Sequence, residues 1–335
     1  MVGMVNSKKL KALALGLTVM LSAGIIAGCG PDSKSTASKN VKVGIVQLVE
    51  HNALDAANKG FVDGLAAKGY KEGENIEFDR QNAQADQSNL QNIAQRFVND
   101  KVNLICAIAT PAAQTVANAT KDIPIVATAV TDYEQARLVA SNDAPKGNVT
   151  GTTDMNPVKE QIDLLLKLVP NTKTIGTVYC SSEVNSETQV KIMKAYAESK
   201  GLIVVESTVS TVNDIQQAAQ SLVGKVDVLY EPTDNIIASA MPTLVAITNP
   251  AKIPVICGEP NMVKAGGLAT FGVDYYKLGF QTGEMAAEIL SGKATPATMP
   301  IQSLKEMKLT INETNAALLG ITIPEDMKAD ADIVQ

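Results

Sequence analysis

Tryptophan is absent from the 335 residues, and histidine occurs once, as His51. A single imidazole excludes zinc centres built on several of them and every His-x-x-x-His motif, so no metal is expected. Arginine is nearly as scarce, with Arg80, Arg96 and Arg137 the complete set. The 29 basic and 35 acidic residues give a formal charge of −6. Nucleic acid selects basic, arginine-bearing faces, so no such partner is expected. Charged residues make up 19% and apolar residues 45%, which excludes disorder for the bulk of the chain. Nucleotide and hydrolase signatures are missing too. The first apolar run continues Gly44-Ile45-Val46-Gln47-Leu48-Val49-Glu50 without G-x-G-x-x-G, and neither a G-x-x-x-x-G-K-[ST] loop nor a G-x-S-x-G elbow occurs. A Ser–His–Asp triad would have to use His51, which stands beside Glu50 at the start of a helical pattern and reads as an exposed or capping residue. Neither a cofactor nor catalysis is expected.

What is present begins with an address. Residues 1–28 carry Lys8, Lys9 and Lys11, no acid, and an apolar or small stretch over 12–28. A basic start, an apolar middle and a small-residue end describe an export signal. Its end, Ile26-Ala27-Gly28-Cys29, resembles the bacterial lipobox, which implies cleavage before Cys29, lipidation of its sulfur and a place on the extracytoplasmic face of the cell membrane. Residues 29–40 then form a polar, Ser- and Pro-bearing tether that cannot bury enough apolar surface to order itself. Three cysteines remain, Cys106, Cys180 and Cys257, each in or just after an apolar run. They read as small buried hydrophobes, with one disulfide left open.

Short Val/Ile-rich runs recur at 41–49, 102–109, 123–130, 174–179, 202–206, 226–231, 253–257 and 268–273, most without period-2 alternation. Strands buried on both faces have this character. Helical spacing lies between them, as in Leu90, Ile93, Ala94, Phe97 and Val98, and again in Val158, Ile162, Leu165, Leu166 and Val169. The alternation predicts an α/β protein of two doubly wound parallel-sheet lobes. The Gly-, Pro- and Thr-rich segment 145–157 reads as a crossing between them.

Ligands of such sheets bind beyond the carboxyl ends of the strands. Those ends here carry small hydroxyls, amides, carboxylates and helix starts: Asn82; Thr110, Pro111 and Ala112; Asp132; Ser181, Ser182 and Asn185; Thr233, Asp234 and Asn235; Glu259; Asp274. Capping accounts for any one of them. Their recurrence at one edge of both lobes points to a cleft suited to a zwitterion, with an acid for an ammonium group and helix-start N–H groups for a carboxylate. Asp274 and Glu259 are the candidates for the ammonium. Tyr133, Tyr179, Tyr230, Phe271, Tyr275 and Tyr276 either pack the core or flank an apolar or aromatic ligand side chain.

Several runs are similar to one family. They are Val43-Gly44-Ile45-Val46-Gln47-Leu48-Val49-Glu50-His51-Asn52-Ala53-Leu54-Asp55, Ala109-Thr110-Pro111-Ala112-Ala113-Gln114, Pro232-Thr233-Asp234-Asn235, Gly272-Val273-Asp274-Tyr275-Tyr276-Lys277-Leu278-Gly279, and the late Ile311-Asn312-Glu313-Thr314 and Ile323-Pro324-Glu325-Asp326. The family is the solute-binding lipoproteins of ABC importers, in the tryptophan/tyrosine-type branch. The resemblance implies a type I periplasmic-binding fold with three crossings. Lobe one would be 41–151 plus 274–297 and lobe two 152–273 plus 298–333. The hinge would lie at Thr150-Gly151-Thr152, Gly272-Val273 and near Thr298. It further implies an aromatic amino acid as ligand and an ABC permease and ATPase as partners; a monomer is expected, and Gln47 and Asn52 are additional ligand candidates. Alternatives are a nucleoside or other small-solute binder of the same fold, a surface-displayed adhesin or sensor lipoprotein, and an exported enzyme.

Overall fold

The computed structural model describes residues 40–335. The segment read as an export signal, Cys29 and the expected tether up to residue 39 lie outside the described residues. In chain order the first half reads β1 (Val41–Gln47), α1 (Asn52–Ala67), β2 (Ile76–Asn82), α2 (Gln87–Asn99), β3 (Leu104–Ile108), α3 (Thr110–Ala119), β4 (Ile125–Val130) and β5 (Val149–Thr153). The second half continues with α4 (Val158–Leu168), β6 (Thr174–Cys180), α5 (Val184–Ser199), β7 (Ile203–Val209), α6 (Ile215–Leu222), β8 (Val228–Glu231), α7 (Asn235–Ser239), α8 (Met241–Thr248), β9 (Val255–Cys257), α9 (Pro260–Lys264) and β10 (Ala269–Gly272). After it come α10 (Tyr275–Leu290), β11 (Gln302–Ser303), β12 (Lys308–Asn312), α11 (Glu313–Leu319), α12 (Glu325–Ala329) and β13 (Ala331–Val334).

The strands form two sheets, one ordered β11-β5-β4-β3-β1-β2 and the other β13-β12-β10-β9-β8-β6-β7. Neighbouring strands run parallel throughout, except β10 against β12. The central strands β3, β4, β8 and β9 are buried along their full length, which their mostly apolar sequences allow, although β4 buries Thr128 and β8 ends in Glu231. Each lobe thus buries its own core, and the cysteines Cys106, Cys180 and Cys257 are free and buried within them. Among the described residues no helix is long and apolar enough to cross a membrane.

Helix α10 packs along α1 with very close backbones. A Cβ on Gly60 would lie 2.1 Å from the Tyr276 carbonyl oxygen, and one on Gly279 would lie 2.0 Å from that of Ala57. Gly64 and Gly283 stand one turn further on and face Phe280 and Phe61 in the same way. Two glycines four apart on each helix thus let the return helix dock on the first lobe.

Strand pairing shows which sheet the segments between the lobes join. Residues 149–153, part of the segment expected to cross between lobes, are strand β5 paired to β4. Gly151 permits this by taking φ +150° against the Ala127 carbonyl, where a Cβ would lie 1.9 Å from the oxygen. Residues 302–303 add β11 to β5, and Thr150 donates to the Met299 carbonyl at 2.7 Å. The backbone near Thr298 therefore stays with the first sheet. The crossings fall at 154–157, 273–274 and 304–307.

Candidate functional site

The carboxyl ends of the two sheets border a small pocket. The first lobe contributes His51 and Leu54 at the start of α1, Ala129 at the end of β4, and Tyr275 of α10. Asp154 enters from the first crossing. The second lobe contributes Thr233, Asp234, Asn235 and Ala238 around the start of α7, and Glu259 before α9. The pocket holds about 10 Å³, room for little more than one water. Polar side chains join the two halves across it. His51 Nε2 lies 3.3 Å from Asn235 Oδ1, and the Thr131 and Thr233 hydroxyls lie 3.3 Å apart.

The second lobe and the crossings supply carboxylates. Asp154 is 3% exposed; it accepts from the Tyr275 hydroxyl at 2.5 Å and the Thr131 hydroxyl at 3.0 Å. Burial pushes it above the usual carboxylate range. Glu259 accepts from the Asn261 and Met262 backbone N–H groups, both at 2.7 Å, yet burial pushes it up to about 7. Asp234 accepts from Cys180 N–H at 2.7 Å, the Ser186 hydroxyl at 2.7 Å and Ile237 N–H at 2.9 Å, and burial raises it as well. Behind Asn235 lies Glu183, pushed up to about 8 by burial first and by the neighbouring Asp234 charge second. His51 is shifted the other way: desolvation lowers it and favours the neutral ring. No lysine or arginine lines the pocket. A wall of several buried carboxylates without a cation is electrostatically incomplete, because isolated buried charges are costly.

The first lobe supplies the opposite polarity. Helices α1 and α3 begin without a side-chain cap, at His51 and Ala109. Asp86, Asp234, Glu259 and Asp274 cap α2, α7, α9 and α10, while α4 and α5 of the second lobe also start without a side-chain cap. Uncapped starts leave free N–H groups and the positive end of the dipole. The hydroxyl of Thr110, at the start of α3, is buried and has no hydrogen-bond partner. Two non-glycine residues at these strand ends are held in the left-handed region, Ala109 at φ +87° and Ala129 at φ +55°. Such strain collects where a backbone is shaped for binding.

The sequence-derived candidates divide. Thr233, Asp234, Asn235 and Glu259 line the pocket. Thr110, Pro111 and Ala112 begin α3, whose strand lies between β1 and β4. Asn185 sits behind the wall, donating to Glu183 at 2.8 Å and the Thr233 carbonyl at 3.0 Å, with its own carbonyl oxygen unpartnered. Gln47 is buried, but its amide is spent on the Val49 carbonyl and Asp55, at 2.9 and 2.7 Å. Asp274 is exposed and outside the pocket, because the Lys277 N–H claims it as a helix cap at 3.1 Å. Asp132 likewise closes its own turn, accepting from Glu134 and Gln135 N–H. Asn82 accepts from Gln84 N–H at 2.8 Å and borders a different crevice. Asn52, Ser181 and Ser182 are exposed and do not line the pocket.

Of the aromatic candidates, Tyr275 reaches the pocket. Tyr133 and Tyr230 are core residues whose hydroxyls donate to Ala127 and Thr152 carbonyls and to Gln161. Tyr179 donates to Glu206, and Tyr276 to Asp63 on the surface. Sequence reasoning missed Asp154, Ala129, Leu54 and Ala238, and placed His51 outside the site. The signal for Asp154 was an acid directly after a run of threonines, at a place read as linker.

Residues 42–335 match the family described as ABC transporter substrate binding protein. A tyrosine-binding protein of Clostridioides difficile (strain R20291) is 46% identical over 327 residues, covering 95% of this chain and 94% of its own length. A Streptococcus pneumonia ABC domain solved in complex with L-Trp is 42% identical, covers 89% of this chain and 100% of its own, and superimposes with a TM-score of 0.86. A ligand-free, open substrate-binding protein with adhesive properties from Clostridium difficile is 46% identical and covers 88% and 100%, yet superimposes with a TM-score of 0.67.

Proposed function

Because the chain belongs to the family of ABC transporter substrate-binding proteins, we propose that it captures an aromatic amino acid between its lobes and delivers it to a membrane permease driven by an ATPase. One observation carries this reading: buried carboxylates, Asp154 and Glu259, line a pocket without lysine or arginine that also holds His51, where α1 starts without a side-chain cap. An ammonium group completes the carboxylates and a carboxylate the helix start. The α-amino acid head group carries both. The relatives that bind tyrosine and L-Trp support an aromatic side chain.

A pocket of about 10 Å³ does not admit an amino acid unless the lobes part. The chain superimposes better on the L-Trp complex than on the ligand-free open relative, although it shares slightly more identity with the latter. This supports a closed arrangement here, and an opening rotation at 154–157, 273–274 and 304–307. Ligand makes contacts to both lobes only when closed, so it shifts the population towards that form. No bond is made or broken. The export signal and Cys29 support a lipid-anchored monomer on the extracytoplasmic face; unchanged mobility on blocking lipoprotein processing is the outcome that removes the anchor from this reading.

The test is calorimetric titration with tyrosine, tryptophan, phenylalanine and a set of nucleosides. A micromolar dissociation constant, about −8 kcal/mol, is expected for at least one aromatic amino acid. Saturation at about 100-fold above that constant should then stabilise the fold by about 2.7 kcal/mol, visible as a raised melting temperature. Heat with nucleosides and none with the aromatic amino acids overturns the proposal.

A further inference from the structure

A much larger concavity lies along the first lobe, with Ser182 of the second lobe at its edge. It holds about 790 Å³ and runs between α2 and α3. Its polar lining consists of amides, hydroxyls and two cations, Lys121 and Arg137, beside apolar residues such as Ala94, Leu138 and Val149. Gln87, Gln91 and Gln95 stand four residues apart on α2, and Gln114 and Asn118 stand four apart on α3. Residues four apart share one helix face, so two rows of primary amides border the groove. In a chain with 35 acidic residues, no aspartate or glutamate among the described residues lines it. Arg137 stands beside the rows, since Gln114 donates to the carbonyl of its neighbour Ala136 at 3.1 Å.

Arg137 differs from the other two arginines. Arg80 and Arg96 are ion-paired with Glu72 and Asp79. Arg137 has no carboxylate partner among the described residues, is exposed, and is held at φ +57°. The walls are braced independently of any occupant. Gln87 donates to the Thr115 hydroxyl at 3.1 Å, joining α2 to α3, and Asn148 donates to the Thr120 and Ile123 carbonyls at the far end.

We infer that this groove is a second binding site, taking a short extended peptide segment that ends in, or carries, a carboxylate held by Arg137. A primary amide donates and accepts, which matches a peptide backbone offering N–H and C=O groups in turn. The row from Gln87 to Gln95 spans eight residues of helix, about 12 Å at 1.5 Å each. An extended peptide rises about 3.3 Å per residue, so about four residues fit. The planar guanidinium fork suits a carboxylate. No aromatic ring lines the groove, which leaves no stacking platform for a sugar. The inference does not depend on the identity of the cleft ligand.

Three probes test it on the full-length chain: acetyl-tetraalanine with a free carboxylate, its C-terminal amide, and acetyl-Ala-Ala-Asp-Ala-amide. Thermophoresis or calorimetry should show saturable binding of at least one carboxylate-bearing peptide, and which of the two binds tells a chain end from an internal acid. The amide should bind about tenfold more weakly, and R137Q should lose the same factor. The double variant Q91A/N118A, on exposed helix faces, should weaken the peptides while leaving the melting temperature and the cleft titration unchanged. No saturation by either carboxylate peptide up to about 10 mM overturns the site. So does full affinity in R137Q, or in Q91A/N118A, or displacement by acetate at the peptide's own concentration, which would mark a bare anion contact.

Discussion

Ligand capture should strengthen as pH rises, and the size of the effect follows from Glu259. With the lobes as they stand, burial holds this carboxyl at about 7, against 4.5 for an ordinary glutamate. If the ammonium group requires the charged form, the observed association constant carries a factor 1/(1 + 10^(pKa − pH)). That factor is about 1/11 at pH 6 and about 1/1.3 at pH 7.5, so affinity should rise about eightfold, or about 1.3 kcal/mol. Below pH 7 binding should expel close to one proton, measured from the dependence of calorimetric heat on buffer ionisation enthalpy. Glu183, pushed up to about 8 behind Asn235, steepens the rise if closure draws on it. The sign for stability is the reverse. A raised carboxylate keeps a proton in the folded state that the unfolded chain has lost, so the empty protein should melt lower as pH rises from about 4.5 through about 7. Replacing Glu259 by Gln removes the titration and should flatten the affinity profile. Affinity that falls between pH 6 and 7.5, or a variant profile as steep as the parent's, refutes the placement of the ammonium beside Glu259.

Three further outcomes follow from the same geometry. D154N keeps the shape and the Tyr275 contact but removes a charge, so amino-acid affinity should drop roughly 10- to 150-fold while the empty protein melts no lower, read by titration and calorimetric melting. T110V replaces a buried hydroxyl that has no partner in the empty protein, so the melting temperature should hold or rise while affinity falls roughly 2- to 12-fold. G279A forces a Cβ to 2.0 Å from the Ala57 carbonyl oxygen and should cost about 1–3 kcal/mol by denaturant unfolding, because backbone cannot yield as a side-chain tip would.

What the sequence discloses depends on which force sets each feature. The strands at 104–108 and 125–130 are visible because burial along their whole length demands mostly apolar runs, and 43–46 shows the same character within β1. Strand β5 is not, since Val149-Thr150-Gly151-Thr152-Thr153 owes its place to pairing with β4 and to a left-handed glycine, both tertiary facts. Strands β11 and β13 escape for the same reason, being short additions at sheet edges. At the site the limit is sharper. Asp234, Glu259 and Asp274 each follow a strand, and each caps a helix. Local chemistry makes them indistinguishable, and the direction of the cleft, which no local pattern encodes, puts two of them in the pocket and leaves Asp274 outside. Asp154 and the helix starts at His51 and Ala109 show the converse. Their significance lies in what they lack: a cationic partner in one case and a side-chain cap in the others. An unmet requirement is a property of the folded surroundings, so a binding site built from such requirements becomes legible once the two lobes face each other.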